Sequence, residues 1–217
     1  MALTLYGIAV SSYVAKVRLV LRMKGLAFTE VPPPGGYGSP EYRAIVPAGS
    51  VPAIVHDGFA LHESEAILEY IEDIWRIPAM RSGDVRTRAW HRAIALYHDT
   101  KLEPAVRATF GFVANPPGAE VLEAARRTYE ERLEKLAELI DPAPFLGGKS
   151  ICLGECGYPT TLMMGARIFQ ALGITVREPD RIVRWRAAFA AHPVAADNTA
   201  ICQAALDAWI AEKQQKK

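Results

Sequence analysis

Cysteine is scarce in this chain, and an excess of charge of either sign is missing. Only Cys152, Cys156 and Cys202 occur among 217 residues, all in the last third. An odd, clustered set of three is not a disulfide framework; it fits reduced thiols in a cytosol-like compartment. The 25 lysines and arginines against 24 aspartates and glutamates leave a net charge of +1. That balance gives no electrostatic reason to expect a polyanionic partner such as DNA or RNA. The basic tail Lys213, Lys216 and Lys217 reads as a solvated terminus. Apolar runs of the ~18–20 residues that a membrane span requires are absent too. Residues 1–15 carry no charged side chain, yet they lack the positive n-region of a secretory signal, and Lys16 and Arg18 follow where a signal would end. A soluble, cytoplasmic protein is the expectation.

What is present suffices for a sizeable core: half of the residues are apolar and 23% are charged, so wholesale disorder is excluded. The length allows one large domain or two small ones. Residues 3–8 read as a short strand, and from Val14 the spacing turns helical, with Val14, Val17 and Leu21 on one stripe as far as Lys24. Gly25 stops that helix, and residues 27–31 read as a second strand. Residues 32–38, PPPGGYG, break both helix and central strand. Asp57-Gly58, between two apolar runs, is a hairpin signal. From Glu63 a helix follows, with Ala66, Ile67, Tyr70, Ile71 and Ile74 marking one face. After Pro78 strand signals stop, and segments near 83–113, 118–140, 154–171, 179–191 and 198–213 all read as helices. A small α/β unit followed by an all-helical one is the predicted architecture.

Three local features of the α/β part bear on chemistry, and each has a plain structural reading as well. Ser11-Ser12 precede the first helix; either is an N-cap, and a hydroxyl in the positive potential of a helix N-terminus also donates to an anion such as a thiolate. Pro52 opens a strand, because proline cannot donate to a ladder. Most X–Pro bonds are trans, and the residues alone favour that form; a cis bond would turn the backbone of Val51 toward a cleft. Glu63-Ser64 begin a helix, where free N–H groups suit a carboxylate. Cys152 and Cys156 are four apart with no further ligand nearby, so packing rather than metal is expected. His91 and His98 share a helical face and offer either polar pocket lining or plain surface. No Ser-His-acid triad is visible.

Taken together and in order, residues 6–18 (YGIAVSSYVAKVR), 39–53 (SPEYRAIVPAGSVPA) and 57–70 (DGFALHESEAILEY) resemble the glutathione transferase family. The resemblance is dense over residues 1–75 and looser beyond, where residues 182–185 (IVRW) echo it. It implies a thioredoxin-like domain over residues 1–77 that binds glutathione, and an all-helical domain over residues 88–217 that completes the acceptor pocket. It further implies a serine-type member of bacterial kind, in the phi-like or zeta-like branches. Ser11, five residues before Lys16, would donate to the glutathione sulfur, with Ser12 as its understudy and Tyr6 as the competitor used by other branches. Pro52 would be the cis-proline, and Val51 would pair with the cysteinyl backbone. Glu63 and Ser64 would hold the γ-glutamyl end.

The departures lie at the glycyl end. Where relatives carry basic or amide side chains this chain has Tyr37, Gly38 and Ser50, and Val46 replaces an asparagine, so Tyr37 and Ser50 are what remains to hold the glycyl carboxylate. Cys152-Leu153-Gly154-Glu155 stands where a Ser/Thr-x-x-Asp capping box is usual. Phe110 and Phe112 would wall the acceptor pocket. The implied activity is transfer of glutathione to a small hydrophobic electrophile, by a homodimer, without metal, nucleic acid or membrane. The alternatives are glutathione-dependent isomerisation of maleyl-type diacids and a non-catalytic binding module of the same fold.

Overall fold

The Asp57-Gly58 hairpin and the strand–helix–strand that precedes it assemble one four-stranded sheet. In a computed structural model of the chain, which describes residues 2–81 and 83–215, the strands are β1 (Leu3–Tyr6), β2 (Thr29–Val31), β3 (Ala53–His56) and β4 (Phe59–His62). Lys216 and Lys217 of the basic tail lie outside the described residues. The strand order is β2-β1-β3-β4. β1 runs parallel to β2 and antiparallel to β3, and β3 and β4 are antiparallel with Ile54 opposite Leu61. Asp57 and Gly58 both take positive φ, 47° and 88°, as a two-residue hairpin turn requires.

Among the described residues ten α-helices accompany the sheet: α1 (Ser12–Met23), α2 (Pro40–Arg43), α3 (Ser64–Ile74), α4 (Val85–Tyr97), α5 (Glu103–Arg107), α6 (Phe110–Ala114), α7 (Ala119–Leu139), α8 (Tyr158–Ala171), α9 (Asp180–Ala191) and α10 (Pro193–Gln215). The architecture is therefore a thioredoxin-like sheet unit followed by an all-helical unit, as expected. α1 lies between the two. Every residue from Ser12 to Leu21 except Tyr13 is buried, because the sheet unit and α3 cover part of the helix while α10 and α8 cover the rest. Asn198 Nδ2 donates to the Ala15 carbonyl at 3.0 Å across that seam. One continuous apolar core runs from Leu5 through Val17 to Cys202 and Leu206.

Several details depart from the sequence reading. α2 was not anticipated; Ser39 caps it by accepting from Tyr42 N at 3.0 Å. The buried face of α3 is Ser64, Ile67, Leu68 and Ile71, whereas Ala66 and Ile74 are exposed. The helix expected over 83–113 is interrupted by a π-turn at His98–Leu102 and again between α5 and α6. Pro104 follows at the start of α5; it has no N–H to give, so the ordinary i→i−4 ladder cannot run through it. α10 begins at Pro193, several residues before the expected start, with proline at a helix start where its missing N–H does no harm.

In the helical unit Glu155 takes over much of the capping expected of a Ser/Thr. Wholly buried, its carboxylate accepts from Cys152 N (2.9 Å), Leu146 N (2.9 Å), Gly147 N (3.2 Å) and Trp185 Nε1 (3.0 Å). Tyr129 stacks on Phe169 with ring centroids 5.3 Å apart. Gly165 makes room for it, since a Cβ there would fall 2.2 Å from the Tyr129 hydroxyl.

Candidate functional site

Two cavities open where α1, the Val51-Pro52 turn and the start of α3 meet the helical unit. One, of about 310 Å³, is lined by Tyr13, Ser50, Val51, Pro52, Glu63, Ser64 and Asp99. The other, of about 490 Å³, shares Tyr13, Ser50 and Val51 and adds Ser11, Tyr37, Arg107, Phe110 and Trp209, with Ile8 and Val10. Sharing three residues, they form one cleft with a polar end and an aromatic end. The Val51–Pro52 bond is cis, as the family resemblance implies and against the reading from the residues alone.

Ser11 is the N-cap of α1. Its Oγ accepts from Val14 N at 3.3 Å, which leaves the hydroxyl proton available to donate into the cleft. Ser12 is buried and turned elsewhere. Its hydroxyl donates to Glu103 Oε1 at 2.8 Å and accepts from Arg107 Nη2 at 3.3 Å. Tyr6 packs on Tyr42, centroids 5.5 Å apart, and lines neither cavity. Tyr13, which sequence reasoning passed over, lines both; its hydroxyl donates to the Asp99 carbonyl at 3.3 Å. Burial, with Glu103 and Asp99 beside it, pushes the Tyr13 phenol well above its ordinary range, so it is a neutral hydroxyl at physiological pH. Of the two candidate phenylalanines, Phe110 reaches the cleft and Phe112 does not line it.

The polar end is built on the N-terminus of α3, which no side chain caps. Its first-turn N–H groups therefore point at whatever occupies the cavity. Glu63 precedes it with φ 68° and ψ 116°, a conformation that a non-glycine residue holds only at a cost of about 1–3 kcal/mol. Behind Ser64 lies Lys16, 1% exposed. Its Nζ donates to Asp99 Oδ1 and Oδ2 at 2.9 and 3.0 Å, is 3.4 Å from Ser64 Oγ, and pairs with the Glu65 carboxylate. Asp99 also meets His98 Nδ1 at 2.7 Å, and His98 Nε2 meets Thr161 Oγ1 at 2.7 Å. Burial alone would raise the Asp99 carboxyl; the His98 hydrogen bond and the Lys16 ammonium together outweigh it and hold the carboxyl below its usual value. His98 and His91 are both buried and line neither cavity; His91 is directed at the Leu146 carbonyl, 3.3 Å away.

A hydroxyl, a bare helix N-terminus and two carboxylates at one end of a cleft suit a zwitterionic amino-acid group. Its carboxylate would meet the N–H groups and Ser64, and its ammonium Glu63 and Asp99. The Lys16–Asp99–His98 array was missed because its members lie far apart in sequence and become neighbours only across the α1–helical-unit seam. Lys16, between Ala15 and Val17 in the first half of α1, was its one visible trace.

A sheet unit of this topology, cis-proline at its cleft and an uncapped helix behind it, followed by an all-helical unit, defines the glutathione transferase class of folds. Residues 5–76 match the family described as "Glutathione S-transferase, N-terminal domain". A probable glutathione S-transferase of Oryza sativa subsp. japonica is 31% identical over 156 residues, 69% of this chain and 66% of that protein. The maleylacetoacetate isomerase of Pseudomonas aeruginosa is 36% identical over 110 residues, 48% of this chain and 51% of that protein. The aligned stretches thus span two thirds or less of those two relatives. Among solved structures, the theta class glutathione S-transferase of Xanthomonas axonopodis pv. citri with glutathione bound superposes with a TM-score of 0.74 at 23% identity, covering 91% of this chain and 97% of that one. Residues 5–76 thus match the N-terminal domain of the glutathione S-transferase family, and the chain as a whole has the glutathione transferase fold.

Proposed function

We propose that this protein is a serine-type glutathione transferase, which favours the thiolate of bound glutathione and presents it to a small hydrophobic electrophile. The observation that carries the reading is Ser11: a capping hydroxyl with its proton free, at a helix N-terminus, lining the aromatic end of the cleft. Ser11 is the donor rather than Ser12, whose hydroxyl is engaged by Glu103, or Tyr6, which lies outside the cleft. Val51 offers its backbone to the cysteinyl unit beside Pro52. Glu63, Ser64 and Asp99 take the γ-glutamyl end. Tyr37 and Ser50 remain for the glycyl carboxylate. Glutathione is the co-substrate, and no metal takes part in this scheme.

A thiol of pKa ~8.5 is about 3% ionised at pH 7. Lowering it by two pH units takes roughly 2.7 kcal/mol of selective anion stabilisation. One hydrogen bond to a charged group (about 1.5–3 kcal/mol) with a helix N-terminus (about 0.3–1 kcal/mol) supplies it. Residues 1–77 act as the glutathione-binding unit and residues 88–217 close the acceptor side, in a cytoplasmic homodimer with a detoxifying role. The buried free thiols accord with a reducing compartment. Placement in the phi-like or zeta-like branches, among bacterial-type members, rests on Ser11 preceding Lys16 by five residues. Isomerisation of a maleyl-type diacid is the second reading, favoured by the 36% identity to the bacterial isomerase. Retention on immobilised glutathione together with catalysed turnover of 1-chloro-2,4-dinitrobenzene is the expected result. Retention without turnover points to the isomerase or a binding module, and the absence of both retention and turnover overturns the reading.

A further inference from the structure

The aromatic end of the cleft holds one charged side chain, Arg107, and its attachment is unusual. Nε and Nη2 grip Glu103 beneath it, the Nε contact at 3.2 Å. Its Cζ sits 5.6 Å from the Tyr13 ring centroid and 5.7 Å from that of Phe110. The third nitrogen, Nη1, makes no hydrogen bond among the described residues. The Arg107 side chain is half exposed while that of Glu103 is 4% exposed. Anything entering the cavity therefore meets the guanidinium first, with the neutralising carboxylate behind it and already engaged by Ser12. Tyr37 and Trp209 complete a wall of four aromatic rings around this group. From α10, Lys213 stands 6.0 Å from the Trp209 centroid, with Glu212 beside it at 3.7 Å.

We infer that Arg107 selects the acceptor: the cleft prefers a planar aromatic electrophile that carries an anionic substituent, a carboxylate or sulfonate, for Arg107 Nη1. The inference rests on the transferase reading and deepens it. The rings supply a flat apolar slot for the acceptor. Arg107, held by Glu103 and two aromatic faces, offers a preorganised donor whose ordering is already complete before the acceptor arrives. A hydrogen bond from a guanidinium to an anion in this setting gives about a tenfold preference over a neutral isostere.

The test compares 4-chloro-3-nitrobenzoate with 4-chloro-3-nitrobenzamide at saturating glutathione. In either reaction a C–S bond forms, the C–Cl bond breaks, chloride leaves with its electron pair, and the thiol proton goes to solvent. Each kcat/KM is divided by the uncatalysed rate constant with glutathione, to remove the substituent's own electronic effect. The wild type is expected to favour the benzoate about tenfold. Arg107→Gln should bring the ratio to near one, and Arg107→Lys should keep part of it. Because loss of the Glu103 pair can impair folding, the wild-type ratio is also read from 0.05 to 0.5 M salt, over which a charge-based preference shrinks. Turnover of both acceptors at equal normalised rates by the wild type, or a ratio that survives Arg107→Gln, overturns the inference alone. No catalysed turnover of either acceptor overturns the transferase reading and this inference with it.

Discussion

Replacing Lys16 by methionine keeps most of the side-chain volume and removes one buried ammonium. In the native protein that ammonium meets the carboxylates of Asp99 and Glu65 and approaches the Ser64 hydroxyl. The variant leaves two carboxylates facing an apolar thioether. Breaking a buried pair by removing one partner costs about 3–5 kcal/mol. The side chains of Asp99 and Glu65 retain 18% and 29% exposure, so partial hydration places the loss near the lower end, about 3 kcal/mol. At a urea slope of about 3 kcal/mol/M that lowers the unfolding midpoint by about 1 M.

The pH dependence gives a sharper signature. In the wild type Asp99 has a depressed carboxyl pKa, so its contribution is present above the unfolded value, ~3.9, and is lost as pH falls through the lower folded value. Without the ammonium, burial of Asp99 is opposed by His98 alone, and its carboxyl is raised in the folded variant. The folded variant then binds protons more tightly than the unfolded chain, and it recovers stability as pH falls from 7 toward 5. The gap between variant and wild type should therefore narrow on acidification, and adding Asp99→Asn to the variant should restore part of the loss. The glutathione KM should rise as well, because the array under Ser64 is disturbed. A loss below about 1 kcal/mol at pH 7, with a gap that does not narrow, would refute the assignment of Lys16 as the charge that holds this end of the cleft.

Two further outcomes follow from single positions. Glu155→Gln sets an amide NH₂ against two of the four donors that the carboxylate now satisfies, since each oxygen accepts from two; at about 1–3 kcal/mol for each unsatisfied donor, urea unfolding should show a loss of about 4 kcal/mol, and a loss under 1 kcal/mol contradicts the hub. Glu63→Gly relieves the positive φ of 68° and should raise stability by about 1 kcal/mol while raising the glutathione KM; a variant that is destabilised shows that the strain reading is wrong.

The parts of this molecule that were legible in advance are those whose cause is local. The Asp57-Gly58 turn fixes its own hairpin, and Gly25, at positive φ, ends α1. Ser11, Val51, Pro52, Glu63 and Ser64 could be picked out because short motifs carry them. Tyr13, Asp99 and Arg107 could not, since they gain meaning only where α1 meets the π-turn and α5. Pro104 was the overlooked sign that the chain there does not run as one helix. The face of α3 was misjudged for a related reason: α3 packs against α1, where Ser64 meets Lys16, so the sheet is not the only partner that decides which side is buried.

The central claim is that Ser11 stabilises a glutathione thiolate in the cleft, and a pH titration of thiolate absorbance for glutathione bound to the wild type and to Ser11→Ala tests it most directly. The account predicts a bound thiol pKa about two pH units below the free value of ~8.5, returning by one pH unit or more in Ser11→Ala, as loss of a hydrogen bond worth about 1.5–3 kcal/mol requires. A wild type that binds glutathione without lowering its thiol pKa, or a lowered pKa that persists in Ser11→Ala, would contradict it.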